Sequence, residues 1–413
     1  MLVRDTVQPA AGGEERYVGL EHIGEGSLSL LGAGTSADVT SAKARFRRGD
    51  ILFGKLRPYF RKVVRAPFDG ICSTDIWVVR PTEGIDPGYL FYYMASQPFV
   101  DAATRGSTGT KMPRANWDFV SRLEVPVPPM DEQRAIAAVL GAFDDKIELN
   151  RRRSETLEGI ARALFKSWFV DFDPVRAKAE GEDPGLHKPI SDLFPDSFED
   201  SPIGEIPAGW AVASLGAITE KPQYGYTASA SDDPVGPRFL RITDINKTAW
   251  IDWRAVPYCD AGPSDRKKYL LRKGDIVIAR MADPGHAAFI EEGPEAVFAS
   301  YLIRFRPVDE RFGRFLQYWL RSSAYWDLVR GRGAGTTRST LNAQTLSRFP
   351  LVVPSGAVAS EFARHVESLR DRLVVGMDES GVLSQLRDAL LPRLMSGDLS
   401  LSQSRAVPVE VGS

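Results

Sequence analysis

Two basic stretches are the parts of this 413-residue sequence that most clearly point to chemistry. Nine lysines and arginines lie between Lys43 and Arg65 against a single acid, Asp50. Between Arg314 and Arg348 there are six arginines against one acid, Asp327. A local excess of this kind binds phosphate groups through the release of their counterions. The structural alternative for either stretch alone is a solvated basic face.

Each basic stretch lies near a loop rich in glycine, serine and threonine. The loops are RGSTGTKMPR, from Arg105, and RGRGAGTTRST, from Arg330. Glycines allow close backbone approach, hydroxyl and N–H groups bind phosphate oxygens, and Arg or Lys reaches guanine edges. A third candidate is YGYT, whose alternative is a turn that packs two aromatic rings. The predicted DNA-binding residues are Lys55, Arg57, Arg61, Lys62, Ser107, Thr108, Thr110, Lys111, Arg114, Tyr224, Tyr226, Thr227, Arg280, Thr336, Thr337, Arg338 and Ser339.

No motif for catalysis is present in the sequence. It contains no phosphate-binding P-loop, no Gly-x-Gly-x-x-Gly after a strand, and no Asn/Asp-Pro-Pro-Tyr/Phe methyl-transfer motif. The acids near Asp75, Glu291 and Glu292 do not form a metal-nuclease pattern, and two cysteines and four scattered histidines suggest no metal site. We therefore expect a binding protein without catalytic residues, metal ligands or cofactors of its own.

Composition adds limits to this expectation. The net charge of −2 gives no global basic field, so nucleic-acid binding would rest on local patches. The sequence has no apolar run near the roughly 18 residues of a membrane span. Its cysteine usage suits a reducing compartment. We expect a cytoplasmic protein that does not bind membranes.

The stretch 131–170 has the heptad spacing of a long coiled-coil helix, and adding 226 to its seam positions gives a second seam in 356–397. The shared register predicts two copies of one helix that pack against each other. The alternative is two ordinary amphipathic helices in separate cores. The predicted seam residues are Ile136, Leu140, Phe143, Ile147, Leu157, Leu164, Phe362, Val366, Leu369, Leu373, Leu383 and Leu390.

The repeat extends beyond the helices. Pro81 matches Pro307, and the motif GDIL at Gly49 matches GDIV at Gly274. Short β-branched runs bounded by glycine or aspartate predict strands in both halves. We therefore predict an α+β fold with an internal repeat, divided into 1–130 (first globular domain), 131–170 (helix), 171–206 (exposed linker), 207–355 (second globular domain), 356–397 (helix) and 398–413 (tail).

The two halves differ at their beginnings. Only sixteen residues precede Tyr17, whereas about thirty residues separate Pro207 from the matching Phe239. The opening strand and turn of the first domain are therefore expected to be missing or rebuilt. A shortened natural protein or a start codon placed too far downstream would each produce this pattern.

Several motifs together resemble the specificity subunits of type I restriction–modification systems, over nearly the whole chain. In the first half they are YVGLEHI, RRGDILFGKLRPYFRK, GSTGTKMPRANW, VPVPPMDEQRAIAAVLGAFDDKIELNRR and ALFKSWFVDFDPV. In the second half they are GWAVASLGAI, YGYTASAS, KGDIVIARM and LRDALLPRLMSGDL.

The resemblance implies two target-recognition domains with mixed α/β content, each reading half of a split double-stranded DNA site. It also implies that the long helices pair as an antiparallel coiled coil with a pseudo-twofold repeat and dock two methyltransferase subunits. Restriction or motor subunits would complete the assembly. S-adenosylmethionine, ATP and magnesium would be bound by the partner subunits. A helix of roughly 60 Å spans about 18 base pairs, which suits a gapped, asymmetric site.

Two alternatives remain at this point. One is the recognition half of a fused restriction–methylation enzyme. The other is a coiled-coil scaffold without a nucleic-acid role, which would leave the paired basic loops unexplained.

Overall fold

The computed structural model describes residues 1–10, 12–245, 250–333 and 340–401, without the side chains of residues 332 and 333. It divides into two compact units. Unit 1 comprises Met1–Arg153 and Val375–Ser413, and unit 2 comprises Ser154–Val374. Each unit contains one globular domain and one part of each of two long helices.

The first globular domain, in unit 1, is built from short strands followed by three helices. The strands form one sheet in the order β1-β4-β7-β2-β3 and another in the order β6-β5-β8. β5, the middle strand of the second sheet, and its neighbour β8 are buried along their whole length. The elements are β1 (Thr6–Val7), β2 (Arg16–Val18), β3 (Gly34–Thr35), β4 (Lys43–Phe46), β5 (Ile51–Gly54), β6 (Val63–Arg65), β7 (Gly70–Cys72), β8 (Ile76–Val79), α1 (Pro87–Ala95), α2 (Gln97–Arg105) and α3 (Trp117–Val120), before the long helix α4 (Met130–Phe169).

The second globular domain, in unit 2, repeats this plan with a longer beginning. Its main sheet has the order β12-β17-β14-β15, and two-stranded pairs join β9 to β10, β11 to β18 and β13 to β16. The elements are α5 (Asp173–Ala179), α6 (Lys188–Ser191), β9 (Phe198–Ser201), β10 (Gly204–Pro207), β11 (Ala211–Ser214), β12 (Gln223–Tyr224), β13 (Arg238–Leu240), α7 (Pro263–Tyr269), β14 (Ile276–Ala279), β15 (Ala287–Phe289), β16 (Ala296–Phe298), β17 (Leu302–Phe305), α8 (Gly313–Trp319), α9 (Ser323–Gly333), α10 (Ala343–Ser347), β18 (Pro350–Val353) and the long helix α11 (Gly356–Ser396).

Strand pairing confirms the internal repeat. In the parallel pair β2–β7, Tyr17 lies opposite Ile71, and in the parallel pair β13–β16, Phe239 lies opposite Val297. These are the matched positions of the two halves, with the offsets 222 and 226. A parallel pair between such short strands is specific enough that its recurrence at matched positions indicates a duplicated domain.

The two long helices pair antiparallel. In unit 1, Nη1 of Arg387 on α11 lies 2.6 Å from Oδ1 of Asp144 on α4, and Nδ2 of Asn150 donates to Oε2 of Glu379 at 2.8 Å. In unit 2, Trp168 on α4 contacts the ring of Phe362 on α11. Higher residue numbers on α4 thus pair with lower residue numbers on α11, as antiparallel packing requires. All twelve predicted seam residues are buried or half-buried.

The interpretation of 171–206 as an exposed linker is wrong. This segment folds into α5, α6 and the β9–β10 hairpin, and it packs within unit 2. Val175 and Phe194 are buried, and Phe194 meets the ring of Trp168 edge-on at 5.0 Å. Proline, acidic residues and glycine dominate the composition, but a few apolar side chains at wide spacing are enough to hold the segment against the end of α4.

The two domains begin differently in the structure. The amino group of Met1 donates to the carbonyl of Arg80 at 2.6 Å, where the second domain has a bond from Glu220 N to the carbonyl of Arg306. Residues 1–7 thus occupy the position of the segment that leads into and includes β12. In the described part of unit 1, no segment occupies the position of β11.

Candidate nucleic-acid interface

Each domain has one basic residue directly after its central strand. Two backbone hydrogen bonds hold this residue in place, and we call this pair of bonds with its neighbouring strands the backbone frame. Lys55 follows β5; its N–H donates to the carbonyl of Asp75 and its carbonyl accepts from Ala115 N, at 2.9 and 2.8 Å. Arg280 follows β14; its N–H donates to the carbonyl of Tyr301 and its carbonyl accepts from Leu341 N, at 3.0 and 2.9 Å. Asp75 and Tyr301 are 226 residues apart, and so are Ala115 and Leu341. Both halves therefore present a cation at an equivalent place.

A buried ion pair supports this frame in each half. Asp50 accepts two bonds from the guanidinium of Arg80 at 2.6 and 2.8 Å, and Asp275 accepts two from Arg306 at the same distances. Both carboxylates are buried. Two parallel bonds to an arginine fix orientation as well as position, so the strands before Lys55 and Arg280 are held rigidly.

The loop of the first domain closes beside Lys55. Thr108 and Arg114 exchange both backbone bonds, at 3.0 and 2.9 Å. Between them Gly109 has a φ of +96°, a conformation that glycine adopts without strain. Thr108, Thr110 and Lys111 are exposed, whereas the hydroxyl of Ser107 donates to the carbonyl of Thr104. The hydroxyls of Thr108 and Thr110 therefore face solvent, and that of Ser107 is used within the fold.

Arg114 is already paired with a carboxylate. Its guanidinium donates to both oxygens of Asp75, at 2.8 and 3.2 Å. The hydrogen bonds and the charge of Asp75 raise the pKa of Arg114. This arginine can meet a phosphate or a base only in competition with Asp75.

The remaining predicted basic residues of the first domain divide into two groups. Arg57 donates its backbone N–H to the carbonyl of Pro113 at 2.7 Å, which keeps it at the loop. Arg61 donates to the carbonyl of Gly26 and to Asp388 at 2.6 and 3.1 Å, and Lys62 donates to the carbonyl of Leu20 at 2.8 Å. The side chains of Arg61 and Lys62 thus make contacts within unit 1, and the basic stretch is not one free surface.

The second domain places Tyr224 against Arg280. The guanidinium carbon of Arg280 lies 5.0 Å from the centre of the Tyr224 ring, and the Tyr224 hydroxyl accepts a bond from Ala343 N at 3.0 Å. The ring can therefore support the guanidinium through a cation–π contact. Gly225 is required between the two tyrosines, because a Cβ there would lie 2.3 Å from the carbonyl oxygens of Phe298 and Ala299.

Tyr226 and Thr227 have different surroundings. The Tyr226 ring packs on Tyr269 of α7 with their centres 5.4 Å apart, so this tyrosine makes a contact within the fold. Thr227 is exposed. Thr336, Thr337, Arg338 and Ser339 lie outside the described residues. The chain is described again from Thr340, and Leu341 and Ala343 are bonded to Arg280 and Tyr224.

Sequence reasoning missed Asp75 and Tyr301 as members of the interface. Each supplies the carbonyl that receives the N–H of Lys55 or Arg280, and the side chain of Tyr301 is exposed. Their separation of 226 residues was the available signal, because it matches the repeat.

The other acids singled out in the sequence are engaged in ion pairs. Glu291 lies 3.1 Å from Arg314 and 2.6 Å from Arg370, and Glu292 lies 3.2 Å from Lys273. Burial raises the pKa of Glu291, but the two guanidinium groups outweigh this effect and hold that pKa below its usual range. Within the described ranges, no group of three His, Cys, Asp or Glu side chains could hold a metal ion. Among the described helices, none is both long and apolar enough to cross a membrane.

Comparisons with known proteins find DNA specificity subunits of restriction enzymes. Residues 29–159 match the family described as type I restriction modification DNA specificity domain. The type I restriction enzyme HindI specificity subunit of Haemophilus influenzae is 27% identical, covering 87% of this chain and 88% of its own length. The type I restriction enzyme MjaIX specificity subunit of Methanocaldococcus jannaschii is 26% identical, covering 79% and 72%.

A solved structure shows the same fold. The S subunit of a type I restriction–modification system from M. genitalium superimposes with a TM-score of 0.51 at 16% identity, covering 94% of this chain and 93% of its own. The two relatives extend over both halves of the repeat, and the solved structure shares the fold. The chain is therefore similar over both halves to the specificity subunits of type I restriction enzymes.

Proposed function

We propose that this chain recognises a specific, two-part sequence in double-stranded DNA, with one globular domain for each part. The observation that carries the proposal is the duplicated frame around Lys55 and Arg280. The same hydrogen bonds present a cation at the end of the central strand in both halves, and in the first half this cation lies beside the glycine-rich loop. A duplicated frame with different side chains is what the recognition of two different half-sites requires.

The second domain has the clearer base-reading group. Arg280 carries a guanidinium supported by an exposed aromatic ring, and an arginine can donate two bonds to O6 and N7 of guanine. In the first domain Lys55 takes this position, and an ammonium can donate to the same atoms. The exposed Thr108, Thr110 and Lys111 are suited to the phosphates beside the base contact.

The long helices supply the surface for partner proteins. Exposed apolar side chains lie at matched repeat positions: Leu149 with Val375, and Ile160 with Leu386. Apolar groups left on the outside of paired helices favour burial against another protein. Two like surfaces suit two copies of one partner, and we assign them to two methyltransferase subunits.

The chemistry of the assembly belongs to its other members. In this proposal S-adenosylmethionine is bound by the methyltransferase subunits, and ATP and magnesium by restriction or motor subunits. This chain is non-catalytic and determines where they act.

Methylome sequencing tests the proposal. A host carrying this gene and its methyltransferase gene is compared with the same host after deletion of this gene alone. We expect a gapped, two-part methylated motif that is lost on deletion and restored by a plasmid copy. Retention of every methylated motif after deletion, in a host whose methyltransferase is expressed and active, would contradict the proposed function.

A further inference from the structure

Tyr59 is an exposed aromatic residue beside the candidate interface of the first domain. It lies four residues after Lys55, within the short helical turn Pro58–Phe60, and it is 51% exposed. Its ring meets that of Phe60 edge-on, with their centres 4.8 Å apart. Within the described part of the chain its hydroxyl makes no hydrogen bond. The fold therefore presents this ring to solvent without using its polar group.

The backbone on both sides of this turn is left-handed. Arg57 and Arg61 have φ values of +51° and +49°, which residues other than glycine rarely adopt. Such a conformation persists only where the surrounding contacts hold it. Ala282, two positions after Arg280, has a φ of +64° and matches Arg57, two positions after Lys55. The left-handed residue after the cation is therefore a repeated feature of the backbone frame.

Hydrogen bonds hold the turn at both ends. At its beginning, Arg57 N donates to the carbonyl of Pro113 at 2.7 Å, which joins the turn to the glycine-rich loop. At its end, Gly26 N donates to the carbonyl of Phe60 at 3.2 Å. The guanidinium of Arg61 donates to the carbonyl of Gly26 at 2.6 Å. The exposed ring is thus carried by a turn whose shape is fixed without a ligand.

The guanidinium of Arg57 is a second, independent observation at this turn. It lies 6.0 Å from the centre of the Phe60 ring, and its Nε is buried without a hydrogen-bond partner. Within the described ranges no carboxylate pairs with it. A guanidinium in these surroundings favours an anion, and phosphate is an anion that arginine binds well. A phosphate held by Arg57 would bring the neighbouring bases within reach of Tyr59.

We propose that Tyr59 determines specificity in the first half-site through contact of its ring with the methyl group of a thymine. This contact rests on the proposed function and names one base that the first domain reads. The thymine methyl is the apolar group that base edges display in the major groove, and a firmly held aromatic ring suits it. The second domain has Asp283 and Pro284 where the first has Pro58 and Tyr59, so the contact belongs to one half-site.

Binding of the assembled complex to modified duplexes tests this contact. Deoxyuridine replaces one thymine of the cognate motif at a time, which removes only its methyl group. For the wild type, one replacement in the half-site that Lys55→Ala relaxes should weaken binding about fourfold, as for one buried methyl group. Tyr59→Ala should bind the thymine and deoxyuridine duplexes equally, and Tyr59→Phe should behave like the wild type. Pro284→Ala, at the matching position, is the control and should keep the wild-type response.

Three results would overturn the inference. One is a first half-site in which no thymine methyl group contributes to binding. Another is the same response to every replacement in the wild type and in Tyr59→Ala, which would leave Tyr59 without a base contact. The third is equal weakening by Tyr59→Phe and Tyr59→Ala, which would assign the role to the hydroxyl. A wild-type complex that binds cognate and scrambled duplexes equally would contradict the proposed function as well, so the two failures are distinguishable.

Discussion

The two globular domains share one backbone frame but carry different chemistry on it. The ion pairs Asp50–Arg80 and Asp275–Arg306 have the same geometry, and Lys55 and Arg280 are bonded at matching atoms. Around that frame the side chains diverge. The first domain has an ion pair between Arg114 and Asp75, where the second has Thr340 and Tyr301. The repeated contacts therefore maintain the fold, and under the proposed function the divergent ones distinguish the two halves of the DNA site.

The largest expected effect concerns the frame, and it should be equal in the two domains. Asp275→Ala removes a fully buried carboxylate from Arg306 and from the N–H of Arg272. We expect each domain to lose about 3–5 kcal/mol with its own substitution, Asp50→Ala or Asp275→Ala, since breaking a buried ion pair strands its partner. Hydrogen exchange should show the loss only in the altered domain. Asp192→Ala, in an exposed ion pair with Lys188, is the control and should change little. A large loss in one domain alone would show that the frames are not equivalent.

A smaller effect should be confined to the second domain. Tyr224→Ala removes the ring beneath Arg280 and the acceptor of Ala343 N. We expect DNA containing the cognate site to bind about 1–2 kcal/mol more weakly, from one cation–π contact and one hydrogen bond. Tyr224→Phe keeps the ring and should lose less. Equal losses in the two variants would show that the ring does not support the guanidinium. Titration of the assembled complex with DNA containing the cognate site measures the affinity of both variants.

The ion pair of the first domain should respond in the opposite direction. Asp75→Ala frees Arg114, whose side chain is 45% exposed. We expect little change in stability, because the pair is solvated. Non-specific DNA affinity should rise, and its salt dependence should steepen by about one phosphate contact. Tyr301→Ala, at the matching position, should leave the salt dependence unchanged. If Asp75→Ala left the salt dependence of DNA affinity unchanged, Arg114 would not contact the DNA.

The smallest effect concerns pH and the paired helices. The hydrogen bond from Asn150 and the nearby Lys146 lower the pKa of Glu379. A carboxyl group with a lowered folded-state pKa stabilises above its unfolded pKa, and that contribution is lost as pH falls through the folded value. Asn150→Ala should therefore raise the pKa of Glu379, reduce its contribution to stability at neutral pH and narrow the pH range over which that contribution is lost. Carboxyl titration by NMR checks this, and an unchanged pKa in Asn150→Ala would rule out the contact.

The features with long-range periodicity could be predicted from the sequence. The heptads and the offset of 226 predicted the long helices, and the GDIL and GDIV motifs predicted β5 and β14. The repeat also placed Lys55 and Arg280 at equivalent positions. These features are visible in the sequence because an apolar stripe recurs at regular spacing along a helix, and a duplicated strand motif occurs once in each half.

Local partners could not be predicted in the same way. Arg61, Lys62 and Arg114 read as a free basic surface, but each is bonded to an acceptor that is distant in sequence, such as Asp388 or Asp75. Residues 171–206 read as a linker because composition averages over the few apolar residues that anchor it. A pairwise contact leaves no periodic trace, so only the folded structure reveals it.

The most direct test of the account is the methylated motif of two matched variants, Lys55→Ala and Arg280→Ala. Each is expressed with the methyltransferase in a host that lacks the native gene, beside a Lys273→Ala control at an exposed lysine. The account predicts that Lys55→Ala relaxes a position in one half of the motif and Arg280→Ala a position in the other half, while the control keeps the native motif. Relaxation of the same half by both variants, or of neither half, would contradict the assignment of one domain to each half-site.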